Sequence, residues 1–234
     1  MKILALHGFL GEGTDWNPLM DMLPPVHDWI MPSLFSPNSE IDISSYDAFA
    51  KSIEQMEIQG PKILMGYSMG GRLAYELFKR NPDEWDALVV LSAHPGLEDS
   101  VEAEKRTEQV QVWKERFENW KWNELLSAWN SQPVLKNSEP LKLDEDRFDR
   151  ARLCQALENL SVDRQKLDPQ PIKRNKSKIW AFVGAEDKKY LDIYSLMENR
   201  GIIEKLTVLE GLGHRILHDG LEELAPRLEA YLEL

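Results

Sequence analysis

The sequence is poor in cysteine, in long apolar runs and in positive charge. Cys154 is the only cysteine among 234 residues, so an intramolecular disulfide is excluded, and its helical surroundings favour a packed hydrophobe over a reactive thiol. The N-terminal run Met1–Leu6 is too short for a signal peptide or a membrane span. We therefore expect no membrane insertion and a cytoplasmic location.

Acidic residues outnumber basic ones, 40 Asp and Glu against 28 Lys and Arg, which gives a net charge of −12. Such a balance argues against a nucleic-acid surface, which needs a basic face. It also requires that any anionic substrate meet arginines clustered locally, because distant charges are screened. No repeat is visible, and 42% hydrophobic residues suffice for one well-covered core.

Short β-type runs alternate with helical patterns, which is typical of a parallel sheet with crossover helices. The predicted strands are Lys2–Leu6, Asp28–Met31, Lys62–Met65, Ala87–Leu91, Lys178–Val183 and Lys205–Leu209. The predicted helices are Tyr46–Gln59, Gly71–Arg80 and Leu221–Leu232.

The alternation stops after His94-Pro95-Gly96. From there to Gln170 the chain is charged, helical in pattern and rich in tryptophan, until Pro169 and Pro171 mark a return to the strand rhythm. We interpret residues 97–170 as a helical cap inserted into a core formed by 1–96 and 171–234. The tryptophans at 113, 120, 122 and 129 are expected mainly to pack, with ligand contact as the alternative for each.

A candidate nucleophile lies in Gly66-Tyr67-Ser68-Met69-Gly70, between a predicted strand and a predicted helix. Glycines flank Ser68 on both sides, as a sharp strand-to-helix turn requires. The pattern predicts the nucleophile elbow of an α/β-hydrolase fold, a mostly parallel sheet flanked by helices. A serine needs a histidine to accept its proton and an acid to orient that histidine, in the chain order Ser, acid, His.

His214 suits the base because it follows a predicted strand on a glycine-rich loop near the C-terminus. Asp187 is the favoured acid, directly after the predicted strand that ends at Val183, and its neighbour Glu186 is the alternative. Two backbone N–H groups, those of Phe9 and Met69, are expected to form an oxyanion hole.

Several segments carry a family resemblance: His7-Gly8-Phe9-Leu10-Gly11 with Asp15-Trp16, Gly66-Tyr67-Ser68-Met69-Gly70-Gly71-Arg72, His94-Pro95-Gly96-Leu97 followed by Glu104-Lys105-Arg106, and Trp129-Asn130-Ser131-Gln132-Pro133-Val134. Together they resemble the 2-succinyl-6-hydroxy-2,4-cyclohexadiene-1-carboxylate synthases of menaquinone biosynthesis. The resemblance implies a lyase that eliminates pyruvate from an enolpyruvyl-cyclohexene carboxylate, with a small anionic substrate and no cofactor or metal. A carboxylic ester or thioester hydrolase with the same triad is the alternative, and a catalytically silent binding protein is a third.

The resemblance also implies which residues bind substrate. Arg72 and Arg106 match carboxylate-binding arginines, Tyr67 and Trp129 match residues that line the pocket, and a third arginine corresponds to Arg147, with Arg150 as the alternative. Solvated helix faces are the competing interpretation for each arginine. One departure is the segment Met31–Pro37, which lacks the family's D-x-P-G-H-G pattern and therefore predicts a rebuilt loop.

Overall fold

A computed structural model describes residues 1–166 and 178–232 of the chain. Six parallel strands form one sheet: β1 (Lys2–Leu6), β2 (Asp28–Ile30), β3 (Lys62–Tyr67), β4 (Ala87–Leu91), β5 (Lys178–Gly184) and β6 (Lys205–Leu209). The strand order is β2-β1-β3-β4-β5-β6, and every pair is parallel. The predicted fold class is confirmed.

The helices of the described residues are α1 (Asn17–Met22), α2 (Tyr46–Glu54), α3 (Met69–Arg80), α4 (Ser100–Asn119), α5 (Trp122–Asn130), α6 (Arg150–Asn159), α7 (Lys188–Asn199), α8 (Ile216–Asp219) and α9 (Leu221–Leu232). The Ser45 hydroxyl caps α2 by accepting from Ala48 N–H at 3.0 Å. This helix ends before the predicted Gln59, because Glu57 and Gly60 adopt left-handed backbone and turn the chain toward β3.

Alternate residues of each strand enter two separate cores, as buried parallel strands require. Leu4, Leu64 and Val90 pack with α2, α3 and α7, whereas Ile3, Met65 and Val89 pack on the other face with α1 and α9. Since these side chains are fully or almost fully buried, truncation of one of the leucines to alanine should destabilise the protein by about 2–5 kcal/mol.

In the chain, helices α4, α5 and α6 come after β4 and before β5. They pack onto the core that contains α2 and α3. Helices α4 and α6 contact each other, and Tyr46 of α2 donates to Leu160 O at 3.0 Å, just past α6. The predicted C-terminal end of the cap, with Pro169 and Pro171, lies outside the described residues. No described helix is both long and apolar enough to cross a bilayer.

The tryptophans of this helical region mostly pack, in agreement with the expectation. Trp122 stacks on Phe148, with ring centroids 5.7 Å apart, and its indole N–H donates to Leu143 O. Trp113 makes an edge contact with Trp129 at 4.8 Å, and the Arg116 guanidinium lies over the Trp113 ring. Most of this tryptophan content therefore stabilises the helical region itself.

Candidate active site

Ser68 stands between β3 and α3 on a backbone with φ of 51° and ψ of −112°, a conformation rare for a residue with a side chain. The turn closes so tightly that a Cβ on Gly66 would come within 2.4 Å of Gly70 O. A Cβ on Gly70 would come within 2.0 Å of Leu6 O in the neighbouring strand. The two flanking glycines are therefore steric requirements of this turn.

Ser68, His214 and Asp187 form a hydrogen-bonded chain. Ser68 Oγ lies 3.0 Å from His214 Nε2, and His214 Nδ1 lies 2.7 Å from Asp187 Oδ2. The imidazole and the carboxylate are each 4% exposed, so water barely competes for these contacts. With Nδ1–H donating to Asp187, Nε2 carries the lone pair that accepts the Ser68 hydroxyl proton.

The sheet explains why residues so distant in sequence meet. Ser68, Asp187 and His214 follow β3, β5 and β6, whose carboxyl ends share one edge of the parallel sheet. Glu186 does not take part: its side chain is exposed and its backbone N–H donates to Leu212 O at 2.8 Å. Of the two acids left open by the sequence, the structure brings Asp187 to the imidazole.

The loop after β1 and the start of α3 lie on the same cavity as Ser68, and both Phe9 and Met69 line it. β1 and β3 are neighbours in the sheet, so their following loops meet. Met69 is the first residue of α3, and the first N–H groups of a helix have no intrahelical acceptor. Phe9 and Met69 thus both lie at the cavity that contains Ser68, where the sequence predicts the backbone donors of an oxyanion hole.

The cavity has a volume of about 300 Å³ and is lined by more cations than carboxylates. Its charged lining residues are Arg72, Lys105, Arg106, Lys189 and Arg215 on the basic side, and Asp15 and Glu102 on the acidic side. A protein with a net charge of −12 thus concentrates positive charge beside its candidate nucleophile. The lining favours an anionic ligand.

Arg72 and Arg106 both reach this cavity, as the resemblance implied. Arg72 is 7% exposed, and its Nη1 donates to Leu160 O at 2.8 Å. Arg106 Nη1 donates weakly to Gln109 Oε1 at 3.3 Å, while its buried Nε has no partner among the described residues. Loss of hydration, reinforced by the charge of Arg72, lowers the pKa of Arg106. The two guanidinium groups therefore keep N–H donors that a ligand can use.

Arg147 departs from the sequence expectation. Its guanidinium pairs with Glu12, and neither Arg147 nor the alternative Arg150 belongs to the cavity lining. Arg150 instead pairs with Glu145 at 2.5 Å and donates to the carbonyls of Phe117 and Trp120. Both guanidinium groups are thus engaged by other parts of the protein, and the structure does not bring Arg147 to the cavity with Arg72 and Arg106.

Tyr67 and Trp129 line the cavity as expected. Trp129 packs against Phe9 with ring centroids 4.9 Å apart, next to the candidate oxyanion donor. The Tyr67 ring lies 5.8 Å from the His214 ring, and burial raises the pKa of its phenol well above the ordinary value. Tyr67 is therefore a neutral hydroxyl at any physiological pH.

Three other histidines, at positions 7, 94 and 218, are neutral. Burial lowers the pKa of His7, whose Nε2 accepts from Leu34 N–H at 2.9 Å and whose Nδ1 lies 2.8 Å from Gly8 O. Burial likewise lowers the pKa of His94 to about 3 and that of His218 to about 4. None of these imidazoles bonds to both a serine and an acid, as His214 does.

The loop at Met31–Pro37, where the sequence departs from the family pattern, packs against His7 in the loop that follows β1. Leu34 N–H bonds to His7, and Phe35 makes an edge contact with the His7 ring at 5.2 Å. Arg152 of α6 donates to Leu34 O from two guanidinium nitrogens, at 3.0 and 3.1 Å. The loop thereby connects the carboxyl end of β1 to helix α6.

Sequence reasoning missed Arg215, Lys189 and Tyr190, which all line the cavity. Arg215 follows His214 directly, is 2% exposed and donates to Asn130 Oδ1 and Glu139 O. Tyr190 packs on the His214 ring at 4.8 Å. The sequence feature that could have identified them is their position, one to three residues after His214 or Asp187.

Among the described residues, no cluster of His, Cys, Asp and Glu side chains could hold a metal ion.

A parallel sheet carrying a serine elbow, a histidine and an acid at its carboxyl edge defines an enzyme of the α/β-hydrolase superfamily. More particularly, the chain belongs to the serine aminopeptidase, S33 family, whose model matches residues 37–220. Family membership does not by itself identify the substrate, which depends on the residues around the site.

Proteins named 2-succinyl-6-hydroxy-2,4-cyclohexadiene-1-carboxylate synthase are similar to this chain. The one from Serratia proteamaculans is 26% identical over 201 residues, which are 80% of this chain and 78% of that protein. The one from Pectobacterium atrosepticum is 32% identical over 155 residues, 61% of this chain and 58% of that protein. The structure of MenH from S. aureus superposes with a TM-score of 0.87 at 18% identity, covering 100% of this chain and 93% of that one.

Proposed function

We propose that the protein is a lyase that eliminates pyruvate from an enolpyruvyl-cyclohexene carboxylate, the reaction of a 2-succinyl-6-hydroxy-2,4-cyclohexadiene-1-carboxylate synthase. The observation that carries the proposal is the hydrogen-bonded Ser68–His214 pair at the base of a cavity with five cationic side chains. The names of its relatives from Serratia and Pectobacterium support the same assignment.

In the proposed mechanism Ser68 acts as a base. His214 Nε2 takes the hydroxyl proton, and Ser68 Oγ then abstracts the C–H proton adjacent to the substrate's succinyl carbonyl. The electron pair moves into the ring as a new C=C bond forms and the C–O bond to the enolpyruvyl group breaks. The departing enolate takes up the proton held by the Ser68–His214 pair and becomes pyruvate, so protons and electrons balance without an external oxidant.

Asp187 holds the imidazole tautomer and stabilises the imidazolium that forms during proton transfer. We assign the backbone N–H groups of Phe9 and Met69 to the carbonyl oxygen that gains negative charge. Arg72 and Arg106 bind carboxylates of the substrate, and Tyr67 and Trp129 bound the space for its ring.

The domain boundaries belong to the same proposal. We propose that residues 97–170 form a cap over a core of 1–96 and 171–234, since α4 supplies Arg106 and α5 supplies Trp129 to a cavity whose floor is the strand edge. We further propose a cytoplasmic enzyme that acts on a small anionic molecule and not on nucleic acid, which the net charge of −12 disfavours.

An ester or thioester hydrolase is the alternative, favoured by the description of the family as a serine aminopeptidase. A neutral ester gains little from the clustered cations, which cost free energy to desolvate unless an anion pairs with them. The charge of the cavity therefore favours the lyase.

The test follows pyruvate release from the enolpyruvyl substrate with a coupled reductase, in parallel with hydrolysis of p-nitrophenyl acetate. A lyase releases pyruvate rapidly, cleaves the ester slowly, and loses the first activity in Ser68→Ala. Fast ester cleavage without pyruvate release would establish the hydrolase instead.

A further inference from the structure

Three cations of the cavity lining, Arg72, Arg106 and Lys189, lie close enough to influence one another, and we refer to them as the cation cluster. They come from three different helices, α3, α4 and α7. No ion pair within 4.0 Å joins any of them to a carboxylate in the part of the chain that the structure describes. Three converging and unpaired cations leave their charge available to a ligand.

Lys189 is held in this cluster by its place next to the triad. Asp187 directly precedes α7, and Lys189 is the second residue of that helix, so the same stretch of backbone carries the acid bonded to His214 and the lysine that lines the cavity. Its Nζ lies 6.0 Å from the centre of the Tyr190 ring, which itself packs on His214. The side chain remains solvent-accessible, as expected for a residue where a ligand enters.

The adjacent Lys188 differs from Lys189 in its position relative to the cavity. Both lysines are exposed, but Lys188 does not line the cavity, and its Nζ donates to Ala185 O at 2.8 Å. The two lysines have the same charge and lie in the same helix turn, but only Lys189 lines the cavity.

The electrostatics agree with this geometry. Desolvation lowers the pKa of Lys189, and the charges of Arg106 and Arg72 lower it further, while Glu102 and Asp187 raise it. His94, which also lines the cavity, is neutral because burial lowers its pKa to about 3, with the charge of Lys189 as the next cause. Its Nδ1 accepts from Gly96 N–H at 3.2 Å, which leaves Nε2–H as a further donor.

We propose that Lys189 is the third carboxylate-binding cation of this site, the role that sequence resemblance gave to Arg147, and that with Arg106 it selects substrates carrying an additional carboxylate. The identity of the natural substrate rests on the proposed function. The expectation that the ligand carries carboxylates rests on the cavity alone. Arg147 cannot fill the role while its guanidinium is paired with Glu12.

Two simple acids test the proposal without the natural substrate. Glutarate carries two carboxylates, and tricarballylate is the same chain with a third. Binding of each is measured by calorimetry at low ionic strength. The unmodified protein should prefer tricarballylate, and Lys189→Met should reduce that preference by about 5- to 20-fold, near the lower end of what a charge-assisted contact contributes, because the side chain is solvent-exposed. Lys189→Arg should retain most of it, and added salt should weaken it.

Lys188→Met is the matched control and should leave the preference unchanged. With the enolpyruvyl substrate, Lys189→Met should raise KM by a similar factor and leave kcat within about twofold, because uniform binding and not transition-state binding is lost. A preference that survives Lys189→Met, or that falls equally in Lys188→Met, overturns the proposal.

The two hypotheses fail separately. If Lys189 controls tricarboxylate binding but no pyruvate is released, the carboxylate site stands and the proposed lyase function falls. If pyruvate is released and Lys189→Met changes neither KM nor the tricarballylate preference, the lyase stands and the role of Lys189 is refuted.

Discussion

Two regions contribute side chains to the same cavity: the carboxyl edge of the parallel sheet, and the helical region that follows β4 in the chain. The positions of their side chains are determined in different ways. Ser68, Asp187 and His214 follow strands whose pairing fixes their positions, and hydrogen bonds of 3.0 and 2.7 Å connect them. Arg106 and Trp129 come from partly exposed helices, where the same sequence pattern suits a solvated face, a packed face or a binding face. Reaction chemistry is therefore concentrated at the rigid edge, and substrate selection depends on the helices above it.

The largest expected effect belongs to the strand edge. Ser68→Ala and His214→Ala should each lower kcat for pyruvate release by about 10³-fold or more, and the double variant should lose little beyond either one, because the residues act as a unit. Steady-state kinetics measures this, with His27→Ala, outside the cavity lining, as the control. Near-normal turnover in Ser68→Ala would refute the mechanism.

The acid provides the next test. Asp187→Asn should reduce kcat by about 10²- to 10⁴-fold, because the amide no longer holds the His214 tautomer. Glu186→Gln, one residue away and exposed, should change it by less than about twofold. The reverse ranking would transfer the role to Glu186 and contradict the observed contact.

A third test contrasts arginines of the helical region. Arg106→Ala, and Arg72→Ala on α3, should each lower kcat/KM for pyruvate release by about 10- to 200-fold, and lysine should rescue only in part. Arg147→Ala should be nearly neutral for kcat/KM and slightly destabilising, since it loses only the pair with Glu12. Equal losses in Arg147→Ala and Arg106→Ala would restore the original assignment of Arg147.

The smallest effect concerns stability at the junction of the two regions, where His94 follows β4. Its pKa is about 3 in the folded protein against an ordinary value of 6.5, so the unfolded chain binds the extra proton. Stability should therefore fall as the pH drops from 6.5 toward 3. His94→Gln should reduce this loss by on the order of 2 kcal/mol between pH 7 and pH 4.5, measured by urea unfolding. An unchanged pH dependence would show that His94 is not a source of acid sensitivity.

Sequence reasoning succeeded where local chemistry has few solutions. The elbow around Ser68 needs glycine on both sides, the strands need continuous apolar runs, and the triad order follows from the order of the strands. It could not decide the role of Arg147, because an arginine on a charged segment looks the same whether it faces a ligand or a carboxylate such as Glu12.

By itself, the sequence determined the parallel sheet, the position of Ser68 and the participation of His214, since each depends on short-range sterics or on hydrophobic periodicity. Only the tertiary structure decided between Asp187 and Glu186, removed Arg147 from the cavity and brought Arg215 and Lys189 into it. The physical reason is that a side chain's partner depends on how separate elements pack, and no local pattern encodes whether a charge meets an opposite charge or remains free for a ligand.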